Sequence, residues 1–140
     1  MSRSIYAVID TNVIVSAIIT KTPLSPTLKV LQAIGDGGFV PVYNDDILKE
    51  YIEVLSRPKF HVSPLRISSL LQEIENLGLR SHPTPYLHPM PDPKDRVFYE
   101  VSLTEGSYLV TGNQKHFPSE PKVVTPSEFL DILSQERAAR

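Results

Sequence analysis

The chain begins its regular pattern with Ile5-Tyr6-Ala7-Val8-Ile9, which runs directly into Asp10-Thr11-Asn12. The first segment is apolar and rich in β-formers, as in a strand that is buried on both faces. Asp, Thr and Asn favour turns and helix N-termini, and the apolar stretch from Val13 to Ile19 predicts a helix packed on the strand. The sequence therefore predicts a strand, a polar turn and a helix, with Asp10 at the carboxyl end of the strand.

The same alternation of short apolar strands and helices continues along the chain. It predicts an α/β fold, a three-layer sandwich whose central, mostly parallel β-sheet has four to five strands. Pro41 places the second strand at a sheet edge, or lies near the start of that strand, because proline cannot donate a ladder hydrogen bond. Five prolines make residues 80–93 an extended connection. Further strands are expected at 39–43, 108–111 and 122–124, and further helices at 27–34, 44–56, 63–79, 95–104 and 126–133.

Length and composition limit the classes of protein to consider. The 140 residues fit one domain, expected to span 1–140, and the 41% of hydrophobic residues are typical of a globular protein. The absence of cysteine excludes disulfides, thiolate zinc sites and cysteine nucleophiles. Because there is neither a signal-peptide core nor an apolar run of about 20 residues, we expect a soluble cytoplasmic protein with no membrane partner. With a net charge of -2, contact with nucleic acid would rely on a local basic patch and on bound cations.

Oxygen-bearing side chains stand at the ends of predicted strands and at the starts of predicted helices. Asp10 follows the first strand and Asn113 the third. Asp92 and Asp95 lie where the proline-rich connection enters a helix, and Glu50 lies in the helix after the second strand. Because ligands of open α/β sheets gather outside the carboxyl ends of the strands, we expect these side chains to converge at one edge.

Such a convergence has a chemical consequence. Carboxylates that approach one another repel, unless a cation neutralises them. Oxygen ligands suit Mg²⁺ or Mn²⁺. Either ion polarises a phosphoryl oxygen and helps to generate hydroxide from water. The pattern therefore indicates hydrolysis of phosphodiester bonds.

Four segments of the sequence together resemble the PIN-domain family. They cover nearly the whole chain in the expected order, and their positions at strand ends make the set more specific than any one motif. In addition, Leu55-Ser56-Arg57-Pro58-Lys59-Phe60 is similar to the branch of the family that comprises toxin components of toxin–antitoxin pairs. The four segments are Val8-Ile9-Asp10-Thr11-Asn12-Val13, Ile47-Leu48-Lys49-Glu50-Tyr51, Asp92-Pro93-Lys94-Asp95-Arg96-Val97-Phe98 and Tyr108-Leu109-Val110-Thr111-Gly112-Asn113.

The resemblance implies a PIN-like nuclease fold whose acidic cluster binds Mg²⁺ or Mn²⁺ and cleaves RNA. Carried over by position, Asp10, Glu50 and Asp95 are the catalytic acids and the principal metal ligands. Asp92 is a further metal-binding candidate beside Asp95. The enzyme would thus be a Mg/Mn-dependent endoribonuclease.

Asn113 stands where the family commonly has its fourth acid. Its amide oxygen can still bind a metal, but it brings no charge, so the sequence predicts weaker binding of a second ion. Thr11, Asn12 and Thr111 are the substrate-binding candidates, expected to position the acids, water or phosphate. The resemblance also implies RNA as substrate and an antitoxin protein as partner, and exposed apolar helix faces favour a homodimer.

The acids also have purely structural interpretations. Asp10 would cap the first helix, and Asp92 and Asp95 would be turn and cap residues. Glu53 competes with Glu50, which as a plain surface carboxylate would pair with a neighbouring cation. The family pattern favours the functional interpretation in each case.

Other polar residues are more ambiguous. Asn113 would be a left-handed turn residue after Gly112, and His116 either touches substrate or, as we favour, is a solvated loop histidine. The remaining histidines lack paired metal-ligand spacing. Five cations form either a phosphate-binding rim or ordinary surface charge: Arg57, Lys59, Arg96, Lys115 and Lys122.

Two other functions remain open. A catalytically weakened RNA-binding or protein-interaction module on the same fold would explain the neutral Asn113. A phosphatase would use Asp10 as nucleophile, but such enzymes usually need a second aspartate two residues on, where this chain has Asn12. We disfavour nucleotide-triphosphate chemistry because the sequence has no G-x-x-x-x-G-K-[ST] loop.

Overall fold

A five-stranded parallel sheet with flanking helices organises the chain, as shown by a computed structural model that describes residues 4–139. Residues 1–3 and 140 of the expected domain lie outside the described residues. Short 3₁₀ turns cover Pro58–Phe60, Pro93–Asp95 and Gln114–His116. The strands and α-helices are β1 (Tyr6–Ile9), α1 (Thr11–Ile19), α2 (Pro26–Gly35), β2 (Val40–Tyr43), α3 (Asp45–Leu55), α4 (Pro64–Leu77), β3 (Leu79–Arg80), α5 (Arg96–Glu105), β4 (Tyr108–Val110), β5 (Val123–Val124) and α6 (Pro126–Ala138).

The strand order β3-β2-β1-β4-β5 places β1 at the centre of the sheet. β1 pairs with β2 at Tyr6 and Ala7. It pairs with β4 from Ala7, opposite Tyr108, to Ile9, opposite Val110. The inner residues of β1 and β4 are fully buried, as expected for a sheet covered on both faces. This arrangement confirms the expected three-layer α/β class. It also brings the carboxyl ends of β1 and β4 next to each other.

The structure decides between the two alternatives that the sequence left open for Pro41. β2 is not an edge strand, because β3 pairs with it at Val42 and Tyr43. Pro41 is tolerated since it lies near the start of β2, ahead of that pairing, which is the alternative that the sequence allowed. Gly78 permits the close approach of β3, because a Cβ there would lie 2.5 Å from the Pro41 carbonyl oxygen.

Helix caps agree with the sequence pattern at two places. The Asn44 side chain accepts a hydrogen bond from the Ile47 N–H at the start of α3. Thr125 and Glu128 form a reciprocal capping box at the start of α6. Among the described residues, no helix combines the length and apolarity that crossing a membrane requires.

The proline-rich segment, residues 81–93, is extended and held on α5. The Thr84 N–H donates to the Thr104 hydroxyl at 2.9 Å, and the Tyr86 N–H donates to Glu100 at 2.7 Å. Arg96 donates to the carbonyl oxygens of Tyr86 and His88. Side chains of α5 therefore fix the path of the chain that leads to Asp92 and Asp95.

Candidate metal centre

Asp10 lies at the end of β1, in the position that would cap α1. Its side chain forms no capping hydrogen bond, and instead its Oδ2 accepts one from Thr111 Oγ1 at 2.7 Å. The Asp10 N–H donates to the Val110 carbonyl at 2.9 Å, which joins the ends of β1 and β4. Asp10 is only 2% exposed, and burial raises the pKa of its carboxyl, which the Thr111 hydroxyl partly opposes. Asp10 therefore occupies the N-cap position of α1, and Thr111 is the hydrogen-bond partner of its carboxylate.

Glu50 reaches the same edge of the sheet from α3. Its Oε2 accepts a hydrogen bond of 2.5 Å from Thr11 Oγ1, and Thr11 directly follows Asp10. Next to it in sequence, the buried Tyr51 donates its hydroxyl proton to the Ile9 carbonyl at 2.5 Å. The pKa of Tyr51 is raised by burial and then by the negative charges of Asp10 and Glu50. Both carboxylates therefore lie near the carboxyl end of β1.

Glu53, the competing acid of α3, lies in a different environment. It is exposed, and its Oε1 lies 3.9 Å from Nη2 of Arg57, which follows the end of α3. The geometry places Glu50, and not Glu53, beside the residues that follow β1.

Asp92 precedes the 3₁₀ turn that leads into α5, and Asp95 is the last residue of that turn. Asp92 Oδ1 accepts a hydrogen bond from the Lys94 N–H at 3.0 Å, so Asp92 does cap this turn. The Asp95 side chain is 14% exposed, and its pKa is raised to about 6. Burial is the largest cause, followed by the negative charges of Asp10 and then Asp92. The charge of Asp10, from the first half of the chain, therefore acts on Asp95, from the second half.

Asn113 and His116 complete the cluster on the β4 side. The Asn113 side-chain amide lies 2.8 Å from His116 Nε2, and His116 Nδ1 lies 3.1 Å from Asp95 Oδ2. A neutral imidazole protonated at Nδ1 satisfies both contacts, since it donates to Asp95 and accepts from Asn113. The His116 side chain is 37% exposed, in a 3₁₀ turn, but it also contacts Asp95 and Asn113, which the interpretation as a solvated loop histidine did not include. Asn113 is not a left-handed turn residue, because its φ is -139°.

The three predicted substrate-binding residues differ in position. Thr11 and Thr111 are buried, and their hydroxyls donate to Glu50 and Asp10 respectively, so both position acids. Asn12 is exposed in the first turn of α1.

Most of the predicted cationic rim is engaged in structural contacts. Arg57 pairs with Glu53, Arg96 holds the proline-rich segment, and Lys122 Nζ donates to the Gly106 carbonyl at 2.6 Å. Lys59 lies 5.1 Å from the centre of the Phe60 ring. Lys115 is exposed directly beside His116. These contacts favour the interpretation of Arg96 and Lys122 as structural cations.

The donor set fits a divalent cation. Single ligand atoms of Asp92, Asp95 and His116 all lie within 4.8 Å of one another. Asp10 adds a buried carboxylate whose charge disfavours ionisation of Asp95. A bound cation would remove that penalty by attracting both carboxylates, and carboxylate and amide oxygens are ligands that Mg²⁺ and Mn²⁺ accept.

Comparison with known proteins identifies the fold family. The sequence profile described as the PIN domain matches residues 6–115, which include every predicted site residue. Searches of curated proteins and of solved structures returned no significant match. Because the match covers well over half of the chain, the protein belongs to the PIN-domain family, whose members are generally nucleases.

Proposed function

We propose that this protein is a Mg²⁺- or Mn²⁺-dependent endoribonuclease with Asp10, Glu50 and Asp95 as its catalytic acids. One observation carries the proposal: ligand atoms of Asp92, Asp95 and His116 lie within 4.8 Å of one another, at the start of α5 and the turn after β4. Burial, and then the negative charges of Asp10 and Asp92, raises the pKa of Asp95, and in a family of nucleases such a carboxylate favours a cation-binding role over a structural one.

In such a site, some residues would bind the ion and others would position the residues that bind it. Asp10, Glu50, Asp92, Asp95 and Asn113 would hold the ion. When bound, Mg²⁺ or Mn²⁺ supplies charge that polarises the phosphoryl group and stabilises the leaving oxygen. Thr111 orients Asp10 and Thr11 orients Glu50, through hydrogen bonds of 2.7 Å and 2.5 Å. The chain therefore presents acids whose directions are set before an ion arrives.

A cleavage assay with end-labelled RNA tests this proposal. We expect Mn²⁺- and Mg²⁺-dependent internal cuts that EDTA abolishes, and rates about two to three orders of magnitude lower in Asp10→Asn and Asp95→Asn. The matched control is Asp131→Asn, which makes the same chemical change on the exposed surface of α6 and should cleave like the wild type. Cleavage that survives in both site variants would refute the proposal, and single-stranded DNA in parallel tests the preference for RNA.

The biological role follows as a second part of the proposal. The similarity of residues 55–60 to toxin components supports a role as the toxin of a toxin–antitoxin pair. Induced expression of the wild type should then arrest bacterial growth, whereas Asp95→Asn should not. Growth arrest by both forms equally would exclude ribonuclease toxicity. The antitoxin partner, the homodimer, the cytoplasmic location and the single-domain extent of 1–140 stay predictions.

The neutral Asn113 favours a second candidate, a catalytically weakened RNA-binding or protein-interaction module. In the RNA-binding case, the wild type would bind labelled RNA but would not cleave it in the presence of Mg²⁺ or Mn²⁺. The Asp10→Asn substitution would not change that binding. Metal-dependent cleavage by the wild type would exclude this candidate.

A further inference from the structure

His116 has a position at the acidic cluster that the family assignment does not explain. It lies one residue beyond the segment that the family profile matches, yet its imidazole contacts Asp95 and Asn113. We propose that His116 is a nitrogen ligand of the divalent ion and that it shifts the preference of the site from Mg²⁺ toward Mn²⁺. This inference rests on the proposed function, because it concerns the same ion.

The spacing of the donor atoms suits shared coordination. His116 Nδ1 lies 3.1 Å from Asp95 Oδ2 and 3.8 Å from Asp92 Oδ2. Ligand atoms at about 2.1 Å from one ion stand about 3 Å apart when adjacent and about 4.2 Å apart when opposite. Both distances from the imidazole nitrogen therefore lie within the range that one ion spans.

The fold holds the imidazole in this place through a short turn. Residues Gln114–His116 form a 3₁₀ turn in which the His116 N–H donates to the Asn113 carbonyl at 3.1 Å. The Gln114 side chain donates to the Val123 carbonyl at 3.0 Å, which attaches the turn to β5. The position of His116 is thus set by the backbone, in addition to its contact with Asp95.

Asn113 provides the second contact that a metal-binding histidine needs. Such a histidine donates its remote ring N–H to a protein acceptor, which fixes the tautomer and the direction of the ring. The Asn113 amide lies 2.8 Å from His116 Nε2, and a half turn of the amide presents Oδ1 there instead of Nδ2. Asn113, where the family commonly has an acid, would then orient a nitrogen ligand, and this role replaces the direct binding of the ion that the proposed function gives it.

A nitrogen donor changes which ions the site prefers. Mg²⁺ favours oxygen ligands and retains its waters, whereas imidazole is a good ligand for first-row transition metals. One imidazole among several carboxylates therefore favours Mn²⁺ relative to a site composed of oxygens only. Electron-spin-echo spectroscopy detects this difference, because a directly bound ¹⁴N nucleus couples to the Mn²⁺ electron spin.

The experiment uses the full chain with Mn²⁺ alone and with Mg²⁺ alone, without RNA. We expect ¹⁴N coupling in the wild-type Mn²⁺ complex and its loss in His116→Ala. Calorimetry should show about tenfold weaker Mn²⁺ binding in His116→Ala, and a smaller change for Mg²⁺. The control is His82→Ala, in which an exposed histidine outside the site is removed, and both measurements should match the wild type.

The outcomes separate this inference from the proposed function. A wild-type Mn²⁺ complex without ¹⁴N coupling, or coupling that persists in His116→Ala, overturns the role of His116 and leaves the acids in place. Asp10→Asn that binds both ions as tightly as the wild type overturns the proposed function itself. The wild-type spectrum alone tests the inference, even if a variant were to unfold.

Discussion

The ends of β1 and β4 lie side by side, yet they contribute different chemistry to the site. β1 ends at Asp10, a buried acid, whereas β4 is followed by Thr111 and Asn113, which are neutral. The Thr111 hydroxyl donates to Asp10, and Thr111 Oγ1 accepts the backbone N–H of Asn113 at 3.0 Å. One strand end therefore provides charge, and the other provides the hydrogen bonds that hold it.

This division explains how a buried carboxylate is tolerated without a cation beside it. A buried charge costs several kcal/mol unless polar groups satisfy it, and Thr111 supplies such a group. An acid at both strand ends would add to the repulsion that already raises the pKa of Asp95. The neutral β4 end limits the negative charge of the metal-free protein.

Replacing Thr111 with Val should have the largest effect on stability, because it breaks the link between the two strand ends. The isosteric Thr111→Val change leaves Asp10 Oδ2 without its donor and the Asn113 N–H without its acceptor. We expect the free energy of unfolding to fall by about 2 kcal/mol, measured by urea denaturation. Thr84→Val, at an exposed position, is the control, and an equal loss in both variants would contradict this role of Thr111.

Replacing Asn113 with Asp should erase the difference in charge between the two strand ends. The new carboxylate would lie beside His116 and add negative charge to the cluster. We expect about tenfold tighter Mn²⁺ binding by calorimetry, and a lower melting temperature in EDTA because like charges repel. Unchanged Mn²⁺ affinity would show that position 113 does not act on the ion.

The smallest expected effect concerns the pH dependence of stability in EDTA. The pKa of Asp95 is raised to about 6, so the native state binds this proton more tightly than the unfolded state does. Ionised Asp95 therefore destabilises the fold above pH 6, and this penalty disappears as the pH falls toward 4. Asp95→Asn should gain on the order of 1 kcal/mol at pH 7.5 and nothing at pH 4, by urea denaturation.

Excess Mn²⁺ provides the internal control for this experiment. The ion should stabilise the wild type more than it stabilises Asp95→Asn. At pH 7.5, the wild type should therefore be the more stable protein with Mn²⁺ and the less stable one in EDTA. A stability difference that is independent of pH would contradict the electrostatic explanation.

Regular local patterns made most of the fold predictable from sequence. β1 and β4 are short, fully apolar runs, and Asp10 could be placed because it ends such a run. β3 was missed, since it has two exposed residues and exists only because Gly78 lets it approach β2. The same omission made Pro41 resemble an edge-strand residue.

The candidate site was predictable only where residues follow a family pattern. Asp10 and Asp95 could be paired by resemblance, but periodicity does not encode the distance between them. His116 was missed because a single histidine in a loop has no characteristic spacing. The proposed role of His116 as a ligand depends on a 3₁₀ turn that brings its ring into contact with Asn113. Short turns of this kind have no characteristic sequence pattern.

The attachment of the proline-rich segment to α5 has a consequence for the thermodynamics of ion binding. Prolines restrict the backbone, and α5 side chains bind the amides of Thr84 and Tyr86, so the approach to Asp92 and Asp95 is already ordered. An arriving ion then has little loop entropy to remove. Loosening this anchor at Arg96, which directly follows Asp95 but is not a proposed ligand, would make ion binding entropically less favourable while leaving every donor atom in the chain.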